Sequence, residues 1–235
     1  MLLILGEQIL LETFLLVLAA LFPVVNPPGT ALVFLSMTKR ASGATRRLLA
    51  RRVAINSFCV MAASLLIGAF VLKIYGISVP ILRVAGGLIV TISGWKLLNE
   101  GSVKEVLEDA PTPERKAEYM GLAFYPLTLP LTTGPGTIAV MISLGLSRAA
   151  YSDYGQEFSF LVAGLLATIV IAAAIYVCFA FSDWVQSVLG HAGTDIAVRL
   201  SAFILFCLGV QIIWTGASDL LGCVGGSCAP IPSKI

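Results

Sequence analysis

Charge is what this sequence has least of. Asp, Glu, Lys and Arg supply 12% of its 235 residues, hydrophobic residues supply 58%, and mean hydropathy is +0.95. A soluble domain carries about 25% charged and about 45–50% apolar residues. Half the usual charge cannot clothe a water-facing surface, which argues against a soluble enzyme and against a disordered chain. A net charge of +2 with no domain-wide basic face argues against nucleic-acid binding. Histidine occurs once, at His191, in a predicted loop beside Gly190 and Gly193. One imidazole builds neither a catalytic relay nor a metal cluster. The five cysteines (Cys59, Cys178, Cys207, Cys223 and Cys228) form no C-x-x-C pair, so no zinc site is expected. G-x-x-x-x-G-K-[ST], G-x-S-x-G and H-E-x-x-H are all missing. The expectation is a polytopic membrane protein that is not an enzyme and holds no metal or cofactor.

What the sequence has is long apolar runs. Residues 13–38, 53–72, 119–147, 158–182 and 200–218 are free of charge, and each approaches or exceeds the ~20 residues of a membrane span. A sixth helix fits residues 78–98, with Ser78 as N-cap and Pro80 in the first turn, where its missing N–H costs nothing. The fold class expected is all-α with six transmembrane helices. They form a single membrane domain over residues 1–221. Residues 1–6 have no basic start and no small-residue cleavage site follows, so the first helix reads as retained.

Lys and Arg set the orientation. Lys39, Arg40, Arg46, Arg47, Arg51, Arg52, Lys96, Lys104, Arg115, Lys116 and Arg199 fall on one side, eleven of the fifteen basic residues. Lys73, Arg83, Arg148 and Lys234 fall on the other. The first side is therefore cytoplasmic, with loops at 39–52 and 99–118. Both termini and a tail at 222–235 lie outside. The basic cluster at 39–52 also suits anionic lipid headgroups.

Two spans are too long. Their 26 and 29 residues reach roughly 39 and 43 Å as straight helices, against a hydrocarbon core of about 30 Å. Both carry helix breakers in the middle: NPPGT at residues 26–30 and TTGPGT at 132–137. Shifting the first by 107 places Pro23, Pro28, Gly29, Thr30, Val33 and Ser36 on identical residues. The closing helices correspond loosely, through Arg83 with Arg199 and Gly94 with Gly209. The halves, residues 8–98 and 119–221, thus read as a three-helix repeat. Three is odd, so the second copy enters the membrane inverted, as in many secondary transporters.

The breaks have a chemistry of their own. Proline removes an N–H and frees a carbonyl one turn earlier, and glycine admits a close approach. A second half-helix then starts at each break, with Asn26 and Thr133 as N-caps, Pro27 and Pro28 in the first turn of one and Pro135 in that of the other. Each half-helix N-terminus is expected to offer unpaired N–H groups and partial positive charge to a small carboxylate. Asn26, Thr30, Thr132, Thr133 and Thr137 add uncharged donors and acceptors, and Gly29, Gly134 and Gly136 give access. The competing reading is a pair of kinked helices with no ligand.

These residues resemble the MarC family of bacterial inner-membrane proteins, within the LysE-like superfamily. The resemblance covers residues 8–221 and rests on the paired NPPGT and TTGPGT breaks, FYPLTLPLTTGPGT (124–137), GISVPILRVAGGLIV (76–90) and residues 199–216 with GVQ at 209–211. It implies a six-helix protein, and some members look like transporters of small neutral amino acids such as glycine and alanine.

The leading expectation is a secondary transporter for a small neutral amino acid, coupled to Na⁺ or H⁺. A channel or facilitator and a non-transporting structural or sensory protein are the alternatives. Arg83 is expected to pair with Glu12 on the outer face and Arg199 with Glu118 on the inner face, as alternating gates; the competing reading is snorkelling to headgroups. Gly86, Gly87 and Gly94 are expected at helix contacts. Cys59, Cys178 and Cys207 are expected as buried fillers, and Cys223 with Cys228 either as an external disulfide or in an untethered tail. Trp95, Trp184 and Trp214 read as interfacial anchors. In a cysteine-free background, Lys73→Cys should react with an impermeant maleimide in intact cells and Lys104→Cys should not. The reverse pattern would invert the topology.

Overall fold

The computed structural model describes residues 2–38, 41–100, 120–147 and 154–224. The described residues are helical and contain no strand. Five helices are long and apolar enough to cross a membrane, and a sixth span is a bent pair. The all-α, six-span expectation therefore holds.

The first span is two helices, α1 (Leu2–Val25) and α2 (Pro27–Met37), divided at Asn26. α3 (Gly43–Tyr75) starts at Ser42, whose side chain accepts from the Thr45 N–H. It ends at Gly76, where φ of 65° needs glycine and the N–H closes on the Leu72 and Lys73 carbonyls. α4 (Val79–Glu100) follows. A proline-punctuated segment, Ala123–Thr132, then meets α5 (Pro135–Ser147) at 67°. α6 (Tyr154–Ala180) and α7 (Ser182–Val224) complete the bundle.

The helices turn apolar side chains both ways. Val17, Leu21, Phe34, Met61, Leu65, Ile171, Ile175 and Phe179 are fully or almost fully buried, and the Phe34 and Phe179 rings stack 4.5 Å apart. Ile67, Phe70, Ile74, Ile196, Leu200 and Phe203 lie exposed on the outer surface. Apolar surface on that scale is unsuited to water and suits hydrocarbon. Trp95, Trp184 and Trp214 are exposed as well, as anchors require.

α4 lies along α7; α1 packs on α6; α3 packs on α5 and α6; α2 meets α6 and α7; and α4 meets α5. Exchanging the first three spans for the last three maps these principal pairings onto one another. Glycine brings α4 and α7 together. A Cβ on Gly87 would stand 2.8 Å from the Ile213 nitrogen, and one on Gly94 2.6 Å from the Phe206 nitrogen. One on Gly209 would collide with Thr91, and one on Gly86 would lie 2.9 Å from the Ala139 Cβ of α5.

Several details differ from the sequence expectation. The loop at 39–52 is short, because α3 already begins at Gly43. The Ser42 cap outweighs the basic cluster that marked this stretch as loop. Arg46 is 6% exposed and donates to the Thr38 carbonyl (2.7 Å), the Thr38 hydroxyl (3.2 Å) and the Ala41 carbonyl (3.4 Å). Thr38 is the C-cap of α2, so a cation sits where the helix carbonyls and dipole favour it. The loop expected around His191 is a single break inside α7, at Gly190 (φ 67°, ψ 179°). Cys59 and Cys207 are exposed and Cys178 half-buried, because an apolar residue in a bilayer has no need to face inward. Most of the 99–118 loop, the tail beyond residue 224 and Cys228 lie outside the described residues, as does the side chain of Cys223.

Gly94→Ala should destabilise the protein by about 1–3 kcal/mol, since the backbone of α7 cannot yield. Gly43→Ala, with open space around it, should cost nothing. Thermal unfolding in detergent measures both.

Candidate functional site

The two breaks are built differently. At the first, Asn26 adopts a left-handed conformation (φ 46°, ψ 61°) that asparagine tolerates better than most side chains. Its N–H reaches the Phe22 carbonyl (2.9 Å), so α1 stays bonded up to the break. Its side-chain oxygen accepts from the Gly29 N–H (3.3 Å), and its carbonyl accepts from the Thr30 N–H and hydroxyl (3.0 Å each). Pro27 and Pro28 have no N–H. The first turn of α2 therefore keeps no spare donor, contrary to the expectation of unpaired N–H groups at both breaks. Gly29 serves packing: a Cβ there would stand 2.6 Å from the Ser201 Cβ of α7.

At the second break the chain is wound wide. Leu127 N–H bonds the Leu122 carbonyl (3.1 Å) and Thr133 N–H the Thr128 carbonyl (2.8 Å), each reaching back five residues. Tyr125 and Leu129, each before a proline, are extended, as the proline ring demands. The Thr128 and Thr132 hydroxyls donate to the Ala123 and Leu127 carbonyls (2.7 Å each), occupying acceptors that a regular helix would fill with N–H groups. Thr133 closes this segment. It does not cap α5, whose first residue is Pro135 and whose cap position is Gly134. The Thr133 hydroxyl is buried with no partner among the described residues. In α5, Ile138 N–H bonds the Gly134 carbonyl (3.1 Å), while Gly136 N–H and Thr137 N–H find no acceptor among the described residues. The open helix end is thus at α5 alone.

Between the breaks lies a cavity of about 280 Å³. Asn26, Gly29, Thr30, Thr132, Gly134, Pro135 and Thr137 line it. Of the sequence-predicted residues, Pro27, Pro28, Thr133 and Gly136 do not. Gly136 instead packs against Val90. Ser93 and Lys96 of α4 also line the wall and were not singled out from the sequence. With Ile89 and Leu97 they form an i, i+4, i+7, i+8 face, a stripe the helical period makes visible once α4 is placed beside the breaks. Lys96 is exposed, so the cavity reaches the surface at the end of α4.

The expected Glu12–Arg83 pair is not formed. Glu12 is exposed on α1, and Arg83 binds Asp219 of α7 at 2.6 Å, with its Nε donating to the Ser143 hydroxyl of α5 (3.3 Å). The reason is direction: α4 and α7 run antiparallel, and a Cβ on Gly216 would stand 2.8 Å from the Pro80 carbonyl. The start of α4 therefore meets the end of α7. Asp219 escaped notice because it falls one residue beyond the charge-free run. Arg199 is exposed on α7, and its expected partner Glu118 lies outside the described residues.

A model for MarC family integral membrane proteins matches residues 11–221. The chain belongs to the MarC family. It is 31% identical over 213 residues to the inner membrane protein MarC of Salmonella typhimurium (strain LT2), spanning 87% of this chain and 93% of that one. It is 31% identical over 210 residues to its namesake in Escherichia coli O157:H7, with the same coverage. No solved structure matches.

Asn26→Ala removes a cap worth about 0.5–2 kcal/mol and places a Cβ residue at positive φ, while Asn26→Gly removes the cap alone. Thermal unfolding should show the alanine variant as the less stable of the two.

Proposed function

We propose that the protein is a secondary transporter of the bacterial inner membrane that carries a small neutral amino acid. The observation that carries this is the cavity between the breaks, whose polar groups at mid-depth are uncharged. A zwitterion has no net charge to offset. Its carboxylate fits the free Thr137 N–H at the start of α5, with the Thr137 hydroxyl on the same residue. Its ammonium fits the oxygens of Asn26, Thr30 and Thr132, which keep a lone pair each. The cavity lies just below the ~300–1,000 Å³ of sites for drug-sized ligands, which favours a solute of a few heavy atoms.

The two ends of α4 beside the cavity differ. The cavity reaches Lys96 at one end of α4, while at the other end Arg83 ties α4 to α7 and α5. We read this as a state open to the cytoplasm and closed outside by Arg83, Asp219 and Ser143. Arg199 and Glu118 take the counterpart role on the other face. Two inverted three-helix repeats, residues 8–98 and 119–221, exchange these conformations, and the matching of helix pairings between the halves supports that reading. Among the described residues the cavity wall carries no Asp or Glu, which favours Na⁺ on freed backbone carbonyls over a carboxylate-borne proton as the coupling ion. Relatives named as inner membrane proteins support the location, and the basic-residue asymmetry supports termini outside.

Uptake of glycine, alanine and serine into proteoliposomes tests the proposal. Saturable, ion-gradient-dependent uptake should appear and fall at least tenfold in Thr137→Val. No flux of any of the three would sink it, and unsaturable flux would make the protein a channel.

A further inference from the structure

A second concavity, of about 680 Å³, lies on the outside of the bundle between α3 and α6. It is separate from the cavity at the breaks and shares no lining residue with it. α3 contributes Arg51, Ala54, Ile55 and Phe58, and α6 contributes Ile169, Ala172, Ala173 and Tyr176. Each set is spaced i, i+3, i+4, i+7, so each is a single stripe along its helix, roughly 10 Å long. The helices run antiparallel here. Deeper in the bundle a Cβ on Gly164 would stand 2.8 Å from Leu65, and counting back from that contact sets Arg51 beside Tyr176 and Phe58 beside Ile169. Ala54 is buried and Ala172 half-buried, while Ile55, Ile169 and Tyr176 are exposed.

The two ends of this groove differ in chemistry. One is apolar throughout. The other carries the Arg51 guanidinium and the Tyr176 hydroxyl, neither of which has a hydrogen bond or ion pair among the described residues. Arg51 stands two residues before the charge-free run at 53–72, at the depth where a span leaves hydrocarbon. Exposed Arg47 lies one turn further out on the same stripe. A cationic, hydrogen-bonding end above an apolar slot is the outline of a lipid site. Two guanidinium groups on one stripe favour a headgroup with net negative charge.

We propose that the α3–α6 groove binds one anionic glycerophospholipid. Its phosphate engages Arg51 and Tyr176, and one acyl chain lies along Ala54, Phe58, Ala172 and Ala173. The lipid belongs to the leaflet on the basic side of the protein. Such a site differs from the general attraction of a basic surface, because it holds one molecule in a shaped slot and depends on the slot as much as on the charge.

Native mass spectrometry of the full-length protein in detergent, titrated with phosphatidylglycerol or phosphatidylcholine, tests this. One phosphatidylglycerol should be retained per protomer, and phosphatidylcholine several-fold less. Arg51→Gln, at an exposed position that leaves packing intact, should lower retention at least fivefold. Ala172→Trp, which fills the slot and keeps the charge, should do the same at an unchanged oligomeric state. Lys73→Ala, at the far end of α3, should leave retention as it is. Equal retention of both lipids, or equal loss in Lys73→Ala and Arg51→Gln, would overturn the proposal. Conversion of a dimer to a monomer by Ala172→Trp would overturn it too, by assigning the groove to a second copy of this chain.

Discussion

A polypeptide inside hydrocarbon must satisfy its own backbone, because no water is there to do it. That requirement is sharpest at the two places where proline interrupts a span. At the first, one asparagine does the work from a left-handed conformation: it ends α1 through its N–H and starts α2 through its carbonyl and side chain. At the second, a run of two prolines each followed two residues later by a threonine lets hydroxyls take over from missing N–H groups. The chemistry of the site is what remains after these demands are met.

The remainder is unequal. Similar sequences at the two breaks produce one sealed helix end and one open one. The difference lies in proline placement. Pro27 and Pro28 occupy the first two positions of α2, and Asn26 caps the third, so no donor is left. α5 has one proline, Pro135, and the two N–H groups that follow it are free. A cavity framed by one sealed and one open end meets oxygen acceptors of Asn26 and Thr30 on one side and a free backbone donor at Thr137 on the other. A zwitterion of the kind proposed would meet such a cavity in one orientation, carboxylate toward α5.

The membrane class, the helix count and the place of both breaks were legible in the sequence because hydropathy, proline and glycine report local requirements. The glycines along α4 were legible as contacts for the same reason. Less visible was anything that depends on which helix lies beside which. Arg83 looked toward Glu12, because both stand near the outer ends of spans, yet the antiparallel packing of α4 on α7 delivers Asp219 instead. Thr133 looked like a cap because a threonine precedes a proline helix start. Its N–H was already committed to the wide turn behind it, a commitment no single-sequence pattern displays. Ser93 and Lys96 became site residues only when α4 had a neighbour.

Arg46 belongs to α3 but spends its donors on the end of α2. That grip ties the end of α2 to the start of α3, and a single residue, Asn26, separates α2 from α1. A tilt at Asn26 would therefore swing the whole length of α3 along with α2. One buried guanidinium thus couples a helix of eleven residues to one three times its length.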